Sequence, residues 1–337
     1  MKKIISIILI FTMILSLTAC GQPEQKERET TSGYYPITVT DQAGRKVVIE
    51  KEPERLISSY YITTSLMIAL GAQERLVGVE DNAGLRPIYG LSSPFILELP
   101  NIGTVKEIDF EACAALEPDL AILPMKLKGS VENFEALGIP VILVNPESQE
   151  LLTEMIQMVG TALHTQEEAQ ALISFLTEQE ENLVQLLSDV EKPSVYLAGN
   201  SSLLSTAGNA MYQSDLIRLG GGKNVAADLE DTYWAEIDYE QLLAWNPEHI
   251  VLASNASYTI EDVMKDPNLA ACEAVQQGNV YQIPSDAEAW DSPVPSSILG
   301  AFWLGNILHP EQITEGNCMD IMDRYYEEFY GFTYSEK

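Results

Sequence analysis

One stretch of the chain occurs twice, and this duplication constrains the fold more than any other feature of the sequence. Residues 108–123 (IDFEACAALEPDLAIL) and 237–252 (IDYEQLLAWNPEHIVL) align without a gap at an offset of 129 residues. In each copy an Asp, Asp109 or Asp238, stands at a helix N-cap position, a proline follows one or two helical turns, and a short apolar run has the character of a buried strand. The sequence therefore predicts two similar lobes, each with a helix that leads into a central strand.

Each copy also carries a glutamate in the first turn of its predicted helix, Glu111 in the first copy and Glu240 in the second. The helix dipole favours a carboxylate at this position. A short helix at the surface of a lobe leaves such a side chain in water. We therefore expect one exposed glutamate on each lobe, unless two ordinary helix-proline-strand units resemble each other by chance.

The N-terminus has the pattern of an export signal. Two lysines precede an apolar run over residues 4–17, and the sequence LTACG follows at residues 17–21. The run is too short to favour a membrane-spanning helix. Its end is similar to the lipobox of bacterial lipoproteins, which implies cleavage after residue 19 and a lipid on Cys20. Residues 1–19 are then a signal peptide and residues 20–34 a flexible tether, with an uncleaved anchor as the alternative.

Charge and cysteine content limit the possible functions. The 337 residues include 19 Lys and Arg against 50 Asp and Glu, a formal net charge of −31. This acidic excess argues against nucleic acid as a partner. Cys113 lies within the predicted helix of the first copy and is expected in the core. A disulfide between Cys272 and Cys318 is possible in an exported protein.

Strand and helix patterns alternate on either side of a long helical segment. Residues 35–148 are predicted as the N-terminal lobe, residues 149–192 as the connecting segment and residues 193–337 as the C-terminal lobe. A β-hairpin is expected within residues 35–50. Residues 82–103 contain three prolines and are expected to form a loop with little regular structure.

A single long helix is predicted within the connecting segment, because apolar residues keep helical spacing over residues 166–190. Alternation of strands with helices predicts parallel sheets. The predicted fold is therefore α/β, with two Rossmann-like lobes that have parallel central sheets and are joined by one rigid helix. Ligand-binding loops are expected at the carboxyl ends of the strands, in a cleft between the lobes. Because a continuous helix bends little, we expect the lobes to move only slightly when a ligand binds.

Several short segments, taken in order, are similar to class III substrate-binding proteins of ABC importers, the helix-hinged family for ferric siderophores, haem and cobalamin. The segments are RLISS at 55–59, PDL at 118–120, LGIPV at 137–141, LGG with NV at 219–225, and GNVY at 278–281. The resemblance implies a monomer that captures a small molecule and docks on a permease with its ATPase. It also implies that Glu111 and Glu240 pair with arginines of the permease. One departure is Ser65, which stands where the family often has a Glu.

The predicted ligand contacts lie in turns that follow the strands. Tyr60 and Tyr61 are the strongest candidates, because two adjacent rings at a strand end cannot both point into one core. Trp234 matches an aromatic residue that lines the cleft in cobalamin-binding members of the family. Core filling is the alternative for each aromatic residue, and a surface position is the alternative for Lys126. The full predicted set is Tyr60, Tyr61, Thr63, Asn82, Met125, Lys126, Asn200, Trp234, Trp290 and Asp291.

Other functional classes have little support in the sequence. No Gly-x-Ser-x-Gly, His-Glu-x-x-His or Cys-x-x-Cys motif occurs, so no catalytic residue is assigned and an enzyme is not expected. A site for a bare metal ion needs several converging His and carboxylate side chains, and the chain has three His. We predict neither a cofactor nor a metal site of the protein itself. A lipoprotein that acts only in adhesion or assembly remains an alternative.

The expected ligand is a metal chelate, which brings its own metal ligands. A ferric siderophore is the first choice, because it is the commonest substrate of the family that the chain resembles. A corrinoid or haem is the next choice, because of the aromatic content of the predicted site. The sequence does not distinguish among these ligands. The expected location is the outer face of the bacterial cytoplasmic membrane, where the lipid alone holds the protein.

Overall fold

Two central sheets, each built from short apolar strands, organise the part of the chain that the structure describes. The structure is a computed structural model that describes residues 33–229 and 234–337. The predicted signal peptide, Cys20 and most of the predicted tether lie outside these ranges. Within them, no helix is both long and apolar enough to cross a membrane.

The N-terminal part begins with the predicted hairpin and continues into a four-stranded parallel sheet. The hairpin consists of β1 (Ile37–Thr40) and β2 (Lys46–Ile49), which pair in antiparallel fashion. The order in the sheet is β4-β3-β5-β6. Its strands are buried on both faces, which explains their continuous apolar sequences. They are β3 (Leu56–Ser58), β4 (Leu76–Val79), β5 (Leu120–Pro124) and β6 (Val141–Val144).

The sheet of the C-terminal part is mixed, with the order β10-β8-β7-β11-β12 and β9 paired to β7. Strands β7, β9, β11 and β12 are parallel, as predicted, but β8 pairs in antiparallel fashion with both β7 and β10. A short connection joins β7 to β8, and a short connection can only bring two strands together in antiparallel fashion. The strands are β7 (Ser194–Ala198), β8 (Ser205–Thr206), β9 (Lys223–Asn224), β10 (Ala235–Glu236), β11 (His249–Leu252) and β12 (Val280–Gln282).

Helices cover both faces of the two sheets. In the N-terminal part they are α1 (Tyr61–Ala69), α2 (Pro87–Ser92), α3 (Phe110–Ala115), α4 (Val131–Ala136) and α5 (Gln149–Leu163). From the connection onward they are α6 (Gln166–Leu186), α7 (Tyr212–Leu219), α8 (Tyr239–Trp245), α9 (Ile260–Lys265), α10 (Glu273–Gln277), α11 (Ile298–Leu308) and α12 (Glu315–Tyr330).

The duplicated stretch forms the same unit in both sheets. Asp109 caps α3 by accepting a 2.9 Å hydrogen bond from the backbone N–H of Ala112. Asp238 caps α8 through a 2.8 Å bond from the backbone N–H of Gln241. Strands β5 and β11 follow, at interior positions of their sheets. The predicted helix-to-strand repeat is therefore confirmed.

Residues 82–103 were expected to be a loop, and this expectation is wrong. The segment contains α2 and the 3₁₀ helices Ala83–Leu85 and Pro94–Glu98. Pro87 and Pro94 occupy first-turn positions of these helices. A proline is favourable there, because its fixed φ suits a helix and its missing N–H has no intrahelical partner.

The long helix is confirmed, but it is shorter than predicted. Helix α6 ends at Leu186, and Ser188 bonds through its hydroxyl to the Gln185 carbonyl at 3.2 Å. Such local side-chain bonds compete with continuation of a helix. The possible disulfide is also absent, since Cys272 and Cys318 are free and buried. Cys318 donates to the Phe302 carbonyl at 3.2 Å.

One hydrophobic core extends through both halves of the structure. It contains Leu66 of α1, Leu172 of α6, Phe302 of α11 and Tyr326 of α12, which are all buried. Two smaller cores lie on the opposite face of each sheet. Residues 35–337 consequently form one compact unit rather than two separable domains.

A buried polar cluster accompanies this shared core where α1 meets the C-terminal residues. Glu288 accepts hydrogen bonds from the hydroxyls of Ser65 (2.6 Å) and Ser296 (2.5 Å). The hydroxyl of Tyr330 lies 2.8 Å from that of Ser65. These four side chains are at most 6% exposed. Because Ser65 belongs to α1 and Tyr330 to α12, the cluster links the two halves of the chain.

A substitution at Gly160 tests the close packing of α5 against α6. A Cβ at this position would lie 2.4 Å from the Ala169 Cβ. We expect Gly160→Ala to lower the free energy of unfolding by about 1–3 kcal/mol, although alanine is the better helix former. Urea denaturation measures the change. The matched control is Gly316→Ala in α12, where the added Cβ is at least 3.9 Å from its neighbours and stability should not fall. Equal effects of both substitutions would contradict the packing.

Glu288→Gln tests the buried cluster through the pH dependence of stability. Burial raises the pKa of Glu288 from its ordinary 4.5 to about 7. The native state therefore keeps this proton where the unfolded chain has lost it. The stabilisation is complete below about pH 4.5 and is lost as the pH rises to about 7. Across this window we expect the unfolding free energy of the wild type to fall by up to about 3 kcal/mol relative to Glu288→Gln.

Denaturation curves at several pH values measure this difference. The exposed carboxylate of Glu132 offers a control, since Glu132→Gln should leave the wild-type pH dependence unchanged. Parallel pH profiles for wild type and Glu288→Gln would show that the buried carboxyl does not titrate in this range.

Candidate functional site

A cavity of about 570 Å³, which we call the main cavity, lies near the strand ends. Among the described residues, its walls come from the turns after β3, β5 and β6, from Val105 in the segment before α3, and from Ala210 in the C-terminal part. A cavity of this size is in the range of small-molecule sites. It is lined by Tyr60, Val105, residues 124–126, residues 144–148, Leu151 and Ala210.

Local sequence explains how the polar groups of the main cavity are placed. Strand β5 ends at Pro124, and the 3₁₀ helix Met125–Ser130 then turns Met125 and Lys126 toward the cavity. After β6, the side chain of Ser148 caps α5 by accepting from the backbone N–H of Leu151 at 3.2 Å. Glu147 precedes this cap and lines the cavity. The cavity therefore has an anionic and a cationic side chain among its lining residues.

These two charges influence each other. Partial desolvation raises the pKa of Glu147, and the positive charge of Lys126 opposes that rise. One cation and one carboxylate give the described wall a charge near zero. Such a wall has little attraction for a ligand with several negative charges.

Tyr60 and Tyr61 form an aromatic ledge at the end of β3. Their rings pack edge to face with centroids 5.4 Å apart. Burial raises the pKa of both phenols, so both remain protonated donors at neutral pH. Tyr60 lines the main cavity, and Tyr61 lines a second, smaller recess.

The smaller recess, which we call the interlobe recess, has a volume of about 30 Å³. Tyr61 and residues 85–89 contribute from the N-terminal part, and residues 285–289 contribute from the C-terminal part. The guanidinium of Arg86 lies over the Tyr61 ring, with Cζ 4.1 Å from the ring centroid. This distance is typical of a cation–π contact.

Three predicted contacts lie near the strand ends but outside these two cavities. Asn82 is exposed and donates to the Asp81 carboxylate at 3.0 Å. Asn200 is exposed, and its backbone carbonyl accepts from Ser257. Trp234 is half-buried and packs so closely over Gly199 that a Cβ there would lie 2.9 Å from the indole. Trp234 therefore covers the end of β7.

Three other predicted contacts, Thr63, Trp290 and Asp291, are buried in the structure and line neither cavity. Thr63 is fully buried and bonds to the Ser58 hydroxyl at 2.6 Å. Trp290 is 1% exposed and donates to the Tyr326 hydroxyl at 3.0 Å, so it belongs to the core. Asp291 is 3% exposed and accepts from the Ser254 hydroxyl at 2.5 Å.

Two charged residues of the site were missed. Glu147 stands three residues after β6, and its position after a strand was the available signal. Arg86 stands in the segment that was expected to be an irregular loop, so no strand end pointed to it. The residues of the C-terminal part that line the interlobe recess with Arg86 are far away in sequence.

The two glutamates of the duplicated stretch occupy the predicted positions. Glu111 is in the first turn of α3 and Glu240 in the first turn of α8. Both are exposed, and neither forms an ion pair with a residue that the structure describes. Each lobe thus presents one free carboxylate beside the amino end of a helix.

Within residues 33–229 and 234–337, no group of three or more His, Cys, Asp or Glu side chains is arranged to hold a metal ion. His249 illustrates the reason: it lies at the start of β11 and stacks on Tyr281 with centroids 6.2 Å apart. His249 is not among the residues that line the main cavity.

The fold has well-matched counterparts among known proteins. The molybdate periplasmic binding protein MolA of Haemophilus influenzae, solved with bound molybdate, superposes with a TM-score of 0.80 at 22% identity. The alignment covers 88% of this chain and 99% of that one. At this identity the comparison shows the fold, which is the two-lobed α/β arrangement predicted from the sequence.

Sequence comparison gives relatives of similar length. The ABC transporter substrate-binding lipoprotein YvrC of Bacillus subtilis is 25% identical, with 89% of this chain and 95% of that protein aligned. A vitamin B12-binding protein of Salmonella typhimurium is 25% identical over 67% of this chain and 84% of its own length.

The family model for periplasmic binding proteins matches residues 56–287, which include both sheets and the interlobe cleft. Members of this family are exported solute-binding components of ABC importers, which bind small ligands and work with a permease and its ATPase. The chain belongs to the periplasmic binding protein family and is a substrate-binding protein of an ABC importer.

Proposed function

We propose that this protein captures a metal chelate in the main cavity and delivers it to the permease, with a ferric siderophore as its ligand. The observation that carries the proposal is the composition of the cavity wall. Tyr60 supplies a broad ring, Met125 an apolar surface, and Lys126 with Glu147 a pair of opposite charges. A chelate presents mainly its organic shell to such a wall, because its own donor atoms already surround the metal.

The wall charge narrows the class of siderophore. A tris-catecholate complex carries several negative charges and needs several cations, whereas a hydroxamate complex is close to neutral. With one lysine and one glutamate among the described lining residues, the main cavity suits the hydroxamate type better. The MolA relative binds molybdate, a small oxyanion, for which a cavity of about 570 Å³ is larger than needed.

A corrinoid is the second candidate, and Trp234 is the observation that favours it. The half-buried indole covers Gly199 at the end of β7 in the C-terminal part, and an indole suits the flat face of a corrin ring. The Salmonella relative is a vitamin B12-binding protein.

The N-terminal sequence supports attachment of the protein to the membrane by a lipid on Cys20. The Bacillus relative is itself named a lipoprotein. We further propose that Glu111 and Glu240 contact arginines of the permease, one from each lobe. Exposed ion pairs contribute little affinity individually, so their role is to set the orientation of docking.

Titration with three ligand classes tests the chelate proposal. Purified protein is titrated with a ferric hydroxamate, cyanocobalamin and haemin, with tryptophan fluorescence and visible absorption as signals. We expect saturable binding of the ferric hydroxamate, and Tyr60→Ala should weaken it about tenfold or more, because an aromatic contact is lost. The matched control is Tyr239→Ala, since Tyr239 lies on α8 outside both cavities. Saturable binding of cyanocobalamin alone would replace the siderophore by the corrinoid, and no binding at all would reject both.

Charge reversal at the two glutamates tests the docking proposal. We expect Glu111→Lys and Glu240→Lys each to reduce ligand uptake by the reconstituted permease, and the double variant to reduce it further. Ligand affinity should not change, since both side chains lie away from the main cavity. Glu132→Lys, at another exposed position of the N-terminal lobe, is the control. Uptake that is equal for all variants would contradict a docking role.

A further inference from the structure

Arg86 differs from every other arginine that the structure describes. Its side chain forms no ion pair and donates no hydrogen bond to a described residue, and its Nε is buried without a partner. Its one strong contact is the Tyr61 ring, 4.1 Å from Cζ. The remaining arginines of residues 33–229 and 234–337 bond to carboxylates or to backbone carbonyls, and they are Arg45, Arg55, Arg75, Arg218 and Arg324.

An unpaired guanidinium at this place is unusual for two reasons. A buried N–H without a partner costs about 1–3 kcal/mol. Cations are also scarce in this chain, with 19 Lys and Arg against 50 Asp and Glu. Carboxylates therefore greatly outnumber arginines. Each of the other described arginines bonds to a carboxylate or to a backbone carbonyl.

Two buried carboxyl groups in this region, those of Glu80 and Glu288, already accept hydrogen bonds from hydroxyl groups. Glu80 accepts from the hydroxyls of Thr64 (2.7 Å) and Tyr89 (2.5 Å). Glu288, which also lines the interlobe recess, accepts from Ser65 and Ser296. Neither carboxyl forms an ion pair with Arg86, so the guanidinium retains its donors.

The position of Arg86 connects it to the ligand site. It lines the interlobe recess beside Tyr61, and Tyr61 contacts Tyr60, which lines the main cavity. The recess, at about 30 Å³, has room for a small substituent rather than for a whole chelate. Across it, Asn255 and Ser285 of the C-terminal part add polar side chains.

We infer that Arg86 is a specificity-determining residue, which binds a carboxylate or phosphate group that projects from the rim of the chelate into the interlobe recess. A guanidinium presents a planar fork of N–H donors that matches two oxygens of such a group. Tyr61 holds the guanidinium plane in place. This inference rests on the proposed function and adds to it that the ligand, although nearly neutral at its core, carries a peripheral anionic group.

A purely structural role is the alternative. The positive charge of Arg86 opposes the rise in the pKa of Glu80 that burial causes. If this were its only role, replacing Arg86 would change stability but would not change the preference between two ligands that differ in one anionic group.

Matched ligand pairs distinguish these roles. Dissociation constants are measured for cyanocobalamin, which has a phosphodiester, and for dicyanocobinamide, which lacks it. The second pair is a ferrichrome derivative that carries one carboxylate on an acyl group, and ferrichrome, which has none. In the wild type we expect the anionic member of a pair to bind about tenfold more tightly, as one charge-assisted bidentate contact permits. The cobalamin pair reports on phosphate and the ferrichrome pair on carboxylate.

Substitutions assign this preference to a residue. Arg86→Gln should reduce the ratio of the two dissociation constants to about one, and Arg86→Lys should reduce it in part, because an ammonium lacks the fork. Lys128→Gln, at an exposed position outside both cavities, should leave the ratio unchanged. If Arg86→Gln does not fold, the test relies on Arg86→Lys. An unchanged ratio of the two dissociation constants in Arg86→Lys overturns the inference.

The remaining outcomes are also decisive. A wild type that binds a chelate without preferring the anionic member overturns the role of Arg86 but leaves the proposed function intact. If the preference for the anionic ligand is lost in Lys126→Gln and kept in Arg86→Gln, the anionic group binds in the main cavity. This outcome likewise overturns the role of Arg86. Failure to bind all four ligands rejects the proposed function together with the inference.

Discussion

The hydrophobic core that both lobes share is the constraint on which the rest of the structure depends. Side chains of α1, α6, α11 and α12 meet in a single buried cluster, so the lobes are fixed to each other along one side. The carboxyl ends of β3, β5 and β6 then lie along a cleft that this contact keeps in place. Ligand loops can consequently be polar and irregular, because they do not have to hold the lobes together. This arrangement supports the expectation that the lobes move little on binding.

Polar contacts in the same seam determine how the lobes are aligned. The hydroxyl of Ser65 and the carboxyl of Glu288 meet there at 2.6 Å, and the backbone N–H of Ile88 donates to the Ala287 carbonyl at 3.1 Å. Apolar packing alone tolerates small shifts, whereas buried hydrogen bonds must all be satisfied in one geometry. The family often has a glutamate where this chain has Ser65. Here a carboxyl group is supplied instead from the opposite side of the seam, by Glu288.

The features that the sequence predicted correctly depend on local signals. Asp109 and Asp238 act as N-caps through bonds to residues three positions ahead, and a strand that is buried on both faces must be continuously apolar. Tyr60 and Lys126 line the main cavity, and their positions after strands were the local signal that pointed to them. The surroundings of other residues depend on distant parts of the chain. Trp290 is buried by Tyr326 of α12, and the significance of Arg86 appears only when residues 285–289 close the recess beside it.

The return of α12 to α1 has a consequence for how this protein matures. Ser65 and Tyr330 are in contact although 265 residues separate them. The first lobe therefore cannot complete its core until the last helix of the chain is available. Contacts between such distant segments slow folding, because the intervening chain must first be brought into order. The chain therefore stays incompletely packed until residues 315–330 are available, whatever part of its length has already been made.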